Sequence, residues 1–252
     1  MKLNVPALMQ ASSHEEIVQL QRDAIIAHGK QLEHSLSIIE AGCGQRWKID
    51  LMGLNYTLTG IDLDPAALEL RKTKARDLDV AICGDLCSVE LDEASFDVVY
   101  SSFVLEHIQR ADIALQNFVR WLRPGGLLIL RLPDPGTVRG FFARVLPHRM
   151  HVWYYRYIYG SKSAGQPGYA PYPTCYHPVI GRERLCGFLA EHGVICIGCY
   201  GDGFRRETSN HAINALIGGI SRLVSMLSLG RLNADYADVL YLAVKSAADQ
   251  ES

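Results

Sequence analysis

The feature that most constrains this chain is a rhythm of short apolar runs that stop at glycine, aspartate or serine, separated by stretches of helix formers. Ser37 to Ala41 and Thr57 to Ile61 read as buried strands, ending at Gly42-Cys43-Gly44 and at Asp62-Leu63-Asp64-Pro65. Pro65 suits the first turn of a helix capped by Asp64, and Ala66 to Arg76 continues it. Asp79 to Ile82 is a weaker strand before Gly84-Asp85, and Phe96 to Tyr100 is a strand before Ser101-Ser102. Ile108 to Leu122 reads as a helix stopped by Arg123-Pro124-Gly125-Gly126, and Leu127 to Leu132 is a fifth strand. Such alternation over short loops predicts a parallel sheet covered by helices on both faces. Ligands of these sheets bind beyond the carboxyl ends of the strands, where the Gly, Asp and Ser residues fall.

A single domain is expected, in four stretches. Residues 1–34 hold a leading helix from Glu15 to Glu33, and residues 35–133 form the ligand-binding core. Residues 134–180 break the rhythm with Trp153, Tyr154, Tyr155, Tyr157 and Tyr159 among prolines and glycines. They are too long for a simple connection and too aromatic for a disordered one, which suggests a lid-like insertion. Residues 181–252 resume with a helix at 182–191, a strand at 194–200, a helix at 212–229 and a last strand at 238–245.

With 25 basic and 27 acidic residues, the chain offers no field that would gather nucleic acid, so none is expected as a partner. Seven scattered cysteines suit a reducing compartment. The N-terminus, interrupted by Asn4, Pro6 and Gln10, lacks the apolar stretch of a signal peptide, and no run is long enough to cross a bilayer. A cytoplasmic location is expected.

A dinucleotide loop would place a third glycine at Trp47, for close helix packing. Glu40 beside the loop would repel a pyrophosphate and attract a cationic group. Asp62 ends the second strand, where a carboxylate can accept hydrogen bonds from both ribose hydroxyls, and Asp85 can accept from an exocyclic amine. An ammonium, a ribose and an adenine without phosphates describe S-adenosylmethionine.

The motifs Glu40-Ala41-Gly42-Cys43-Gly44, Gly60-Ile61-Asp62 and Gly84-Asp85-Leu86 resemble those of class I S-adenosylmethionine-dependent methyltransferases, as do FDVVYSSFVLEHI (96–108) and LRPGGLLIL (122–130). The resemblance covers roughly residues 35 to 133 and departs at Arg46, where many members have a further glycine. It implies an α/β, Rossmann-like, doubly wound seven-stranded sheet with the last strand antiparallel. It places Glu40 near the methionine amino group, Asp62 on the ribose, Asp85 and Leu86 at the adenine, and Ser101, Ser102 and Phe103 beside the methionine portion, with Gly42, Gly44 and Leu63 also among the cofactor-binding residues.

The implied function is transfer of the donor's methyl to a small molecule, leaving S-adenosylhomocysteine (SAH). The aromatic insert suits O-methylation of a natural product or sugar. N- or C-methylation, or a non-catalytic donor-fold protein that binds or dimerises, are the alternatives. A base is needed only if the attacking atom must lose a proton, and His107, His177 and His151 are the candidates. No metal is expected, since Glu106-His107 alone supplies too few ligands. Cys196 and Cys199, three apart on a strand, are expected on opposite faces. The apolar stripe of helix 212–229 is expected to pack on its own domain or on a second copy in a homodimer. It has few Lys and Arg, so membrane contact is not expected.

Overall fold

The computed structural model describes residues 5–166, 169–203 and 211–247. Residues 1–4 of the leading segment, 167–168 of the insert, and 204–210 and 248–252 of the last stretch therefore lie outside the described residues. In chain order the first half comprises β1 (Leu8–Ala11), α1 (His14–Gly29), β2 (Leu36–Ala41), β3 (Tyr56–Asp62), α2 (Pro65–Leu70), β4 (Val80–Cys83), β5 (Phe96–Ser102) and α3 (Ala111–Trp121). There follow β6 (Leu122–Pro133), α4 (Val138–Val145), α5 (His148–Tyr157), α6 (Arg182–Glu191), β7 (Val194–Asp202), α7 (His211–Leu227) and β8 (Asp238–Lys245).

The sheet has eight strands in the order β1-β7-β8-β6-β5-β2-β3-β4, not the seven expected. The additional strand is β1, whose sequence LMQA is too short and polar to read as one and which pairs in parallel with the edge of β7. Only β8 runs antiparallel, between β6 and β7, so the last strand is antiparallel as expected. The carboxyl ends of the parallel strands consequently share one edge with the start of β8.

Neighbouring residues in the central strands alternate between two cores, as the two-residue period of a strand requires. Ile38, Val98 and Ile129 face α1, with its Ile17 and Ile25. Ile39, Val99 and Leu130 face α3 and α6, with Phe118, Trp121, Leu185 and Leu189. Other departures are local. The helix expected over 66–76 is α-helical only to Leu70 and widens into a π turn at Arg71–Ala75. The helix expected over 108–122 is a short turn at Leu105–His107 followed by α3, and Leu122 already pairs with Phe96. The insert contains α4 and α5.

Two sequence puzzles resolve. Residues 42–55, which connect β2 to β3, contain no helix. Trp47 instead packs edge-on against Tyr100, ring centroids 5.2 Å apart, and joins the core under α1. No helix starts from this connection, so no third glycine is needed to let one in. Cys196 and Cys199 do not lie on opposite faces. The register shifts between Cys196 and Gly198, and the irregularity turns both thiols into the core that also holds Cys186.

Candidate active site

The loop after β2 is drawn onto β3 by the amides of Gly42 and Cys43, both donating to the Ile61 carbonyl at 2.9 Å. Gly42 has a φ of +74°, and a Cβ there would collide with the side chain of Val104, so glycine is required twice over. Gly44 also has a positive φ, but nothing stands within 4 Å of where its Cβ would be, which leaves this backbone approachable. Asp62 braces the loop: Oδ2 accepts from the Gly44 amide at 2.8 Å and Oδ1 from the Asp64 amide at 2.9 Å. Each oxygen keeps a further lone pair.

Pairing of β2 with β5 sets Glu40 opposite Tyr100, and pairing of β3 with β4 sets Asp62 opposite Cys83. Asp85 follows as a turn former whose Oδ1 accepts from the Cys87 amide. Leu86 is buried, its carbonyl held by Asn117, whereas Leu63 is exposed. Ser101 donates to the Ala41 carbonyl at 2.9 Å, and Ser102 lies opposite Arg131. Phe103, with a φ of +59° unusual for a bulky residue, lies under the Arg131 guanidinium at 4.8 Å. The expected cofactor residues therefore gather at the ends of β2 to β5.

The cation attracted by Glu40 is, in the first instance, one from the chain itself. Arg71, fully buried, donates through Nη1 to Glu40 Oε2 and to the Cys43 carbonyl, both at 2.9 Å, and through Nε to Asp77 at 2.6 Å. Two carboxylates share one guanidinium, so one negative charge is in excess whenever both are ionised. Burial pushes the Glu40 carboxyl up to about 8 against the opposing pull of Arg71. Arg71 gave no sequence signal, because an arginine late in a helix reads as a solvated one.

The insert returns across the site. The amides of Cys175 and Tyr176 donate to the Glu106 carbonyl, and His107 Nδ1 lies 2.7 Å from the Pro173 carbonyl, which makes it the protonated nitrogen. Tyr172 meets His107 edge-on at 5.9 Å, and its phenol is raised first by burial and then by the carboxylates of Asp64 and Asp62, so it lies toward the ribose residue. His151 lies on the far side of this segment, Nε2 3.1 Å from the Leu146 carbonyl, lining a cavity of about 100 Å³ with Tyr172 and Pro173. His177 is set apart. Its Nδ1 caps the turn at Pro178–Ile180, and its Nε2 lies 3.7 Å from Asp112.

Glu106 was weighed in the sequence only as a metal ligand, and among the described residues no group of three or more His, Cys, Asp or Glu is arranged to hold a metal. It is buried, its Oε2 has no partner, and burial lifts its carboxyl to about 8. Its Oε1 lies 3.8 Å from His107 Nε2, and burial lowers the His107 pKa. Alongside, Arg139 keeps solvent access although Asp238 and Tyr154, Tyr155 and Tyr159 surround it, as for a side chain lining a recess. Neither Arg139 nor Asp238 carried a motif.

Residues 39–130 match a family profile described as a methyltransferase domain. Phosphoethanolamine N-methyltransferase 1 of Triticum aestivum is 27% identical over 167 residues, which span 63% of this chain and 32% of that protein. Ubiquinone biosynthesis O-methyltransferase of Colwellia psychrerythraea is 25% identical over 187 residues, 72% of this chain and 70% of that one. Residues 39–130, 92 of the chain's 252, are thus similar to a methyltransferase domain. In fold, the chain is similar to magnesium protoporphyrin IX methyltransferase of Synechocystis PCC 6803 with bound SAH. The TM-score is 0.55 at 16% identity, covering 92% of this chain and 83% of that one. The chain spans less than half the length of several curated relatives it matches.

The cofactor is S-adenosylmethionine, and the residues present fit it. Three carboxylates at successive strand ends, Glu40, Asp62 and Asp85, match an ammonium, a pair of hydroxyls and an exocyclic amine, and Gly44 leaves the backbone open. A second cation arriving at Glu40 favours its ionised form. The ionised fraction grows as pH rises toward about 8, so affinity for SAH is expected to rise about tenfold per unit between pH 6 and pH 7 and to level off near 8. Calorimetry across that range checks it, with Glu40→Gln expected to be weaker and flat. A flat profile for the unaltered protein would mean that Glu40 is ionised throughout.

Proposed function

We propose that this protein transfers the methyl group of S-adenosylmethionine to a hydroxyl oxygen of a small molecule, a natural product or sugar, held between the strand ends and the aromatic insert. The observation that carries the reading is the pair Glu106 and His107. An oxygen nucleophile has a proton to lose. Here a neutral imidazole, oriented by its Nδ1–H on the Pro173 carbonyl, turns Nε2 toward a buried carboxyl with an unpartnered oxygen. His107 Nε2 takes the acceptor's proton, and Glu106, in the ionised form that gains population as pH rises toward about 8, steadies the imidazolium.

When bound, S-adenosylmethionine supplies an electrophilic methyl on a sulfonium. The chain's own task is to hold the oxygen in line with it, which can contribute effective molarities of about 10⁵ M or more. In this reading Tyr172 and the 172–176 segment cover the donor side and exclude water, while Tyr154, Tyr159 and Arg139 line the acceptor side. Tyrosine hydroxyls beside apolar ring faces suit a partly apolar, hydroxylated molecule.

The test is a screen of candidate acceptors with isotope-labelled methyl donor. Labelled methyl ethers are expected, and His107→Gln should lower turnover about 100-fold with the affinity for SAH unchanged. Label appearing only on amines or carbon would defeat the oxygen assignment. Tight donor binding with no transfer to any acceptor would make the chain a binding protein.

A further inference from the structure

Helix α7 is built inside out. Its serines are half-buried and turn back into the protein: Ser221 Oγ donates to the Ile217 carbonyl at 2.8 Å, Ser225 Oγ to that of Leu232 at 2.7 Å, and Ser228 Oγ to that of Ser225 at 2.6 Å. Its large apolar side chains face outward, with Leu216 63%, Leu223 56%, Met226 75% and Leu227 74% exposed. The single apolar stripe expected from the sequence is thus divided, one half packed and one half in water.

Helix α7 rests on α4, which exposes Val145, and α5, joined to α4 through Leu146 and Pro147, exposes Met150, Trp153 and Tyr157. The same elements are charged one way. From Pro135 to Arg182 there are five arginines and a lysine but no aspartate or glutamate, and from His211 to Ala234 there are Arg222 and Arg231, again with no carboxylate. Arg144, Arg149, Arg156, Arg222 and Arg231 are all exposed. In a chain of net charge −2, this is strong segregation.

We propose that the face formed by α4, α5 and α7 docks on a membrane surface rich in anionic phospholipid. Exposed Leu and Met enter the boundary below the headgroups, Trp153 and Tyr157 suit the interface, and the arginines meet lipid phosphates. Charge decides against a second copy as the occupant: a two-fold contact through this face sets arginine against arginine with no carboxylate to relieve it. The attachment is peripheral, since no helix among the described residues is long and apolar enough to cross a membrane. It does not rest on the methyl-transfer reading.

The test is co-sedimentation of the full chain with vesicles of phosphatidylcholine alone or with about 30% phosphatidylglycerol, at low and raised salt. Binding about tenfold stronger to the anionic vesicles, and weakened by salt, is expected. The pairs Leu223→Ser with Met226→Ser, and Arg149→Glu with Arg222→Glu, should each reduce it about tenfold with the thermal transition unchanged. If the serine pair fails to fold, the arginine pair, which removes no packing, carries the test. Equal binding to both vesicles, or none, overturns the proposal. So does a dimer in solution that Leu223→Ser disperses.

Discussion

Replacing Arg71 by leucine is expected to lower the free energy of unfolding by about 3–5 kcal/mol, measured by urea denaturation. That is the range for removing one partner of a buried ion pair. The guanidinium is fully buried and holds Glu40, Asp77 and the Cys43 carbonyl together, so its loss leaves two carboxylates facing each other without a cation. Protonation limits the damage at low pH. Glu40, already held near 8 by burial, sits above its unfolded value of 4.5, so its neutral form protects the fold below 4.5 and the protection fades as pH rises toward 8. The deficit should therefore be larger at pH 8 than at pH 5, and adding Glu40→Gln should recover part of it. A loss under about 1 kcal/mol would mean that water or a rearranged lysine replaces the guanidinium.

The second large effect is expected at Asp62. Alanine there should weaken SAH about 10- to 100-fold, which corresponds to roughly 1–3 kcal/mol of lost hydrogen bonding. The structure adds a second route to the same loss, because the amides of Gly44 and Asp64 lose their acceptor and the loop loses its brace. Asp62→Asn separates the two. Its carbonyl still receives one amide, so the loop is partly kept while the carboxylate's other acceptor becomes a donor. Calorimetry with SAH reads both variants, and an unchanged dissociation constant for Asp62→Ala would remove this residue from the cofactor site.

What the sequence made legible was whatever is written locally. Strands β2, β3 and β5 declare themselves because an apolar run meets glycine, aspartate or serine within a residue or two of where pairing ends, and Asp62, Asp85 and Ser101 come into view with them. Arg71, Glu106, Arg139 and Asp238 were not legible as site residues. Each matters through partners far along the chain, as when Glu40 meets Arg71 or the 172–176 segment crosses Glu106. The faces of Cys196 and Cys199 were misjudged because a strand irregularity leaves no local mark. Strand β1 was missed because its neighbour, not its composition, makes it a strand. The segregation of charge was visible as letters, but only the packing of α7 on α4 brings its two distant stretches together.

The absence of a helix between β2 and β3 bears on which nucleotides this loop can hold. A helix starting there would aim its macrodipole and unpaired amides at the ligand, about half a positive charge's worth of attraction for a phosphate. In this chain the Gly42, Cys43 and Gly44 amides are already committed to Ile61 and Asp62, and Trp47 packs beneath α1 instead of leading into a helix of its own. A pyrophosphate brought to Gly44 would find neither dipole nor spare donors, only the carboxylates of Glu40 and Asp62. Selection against dinucleotides is thus written into the backbone of the connection, independently of any side chain that touches the donor.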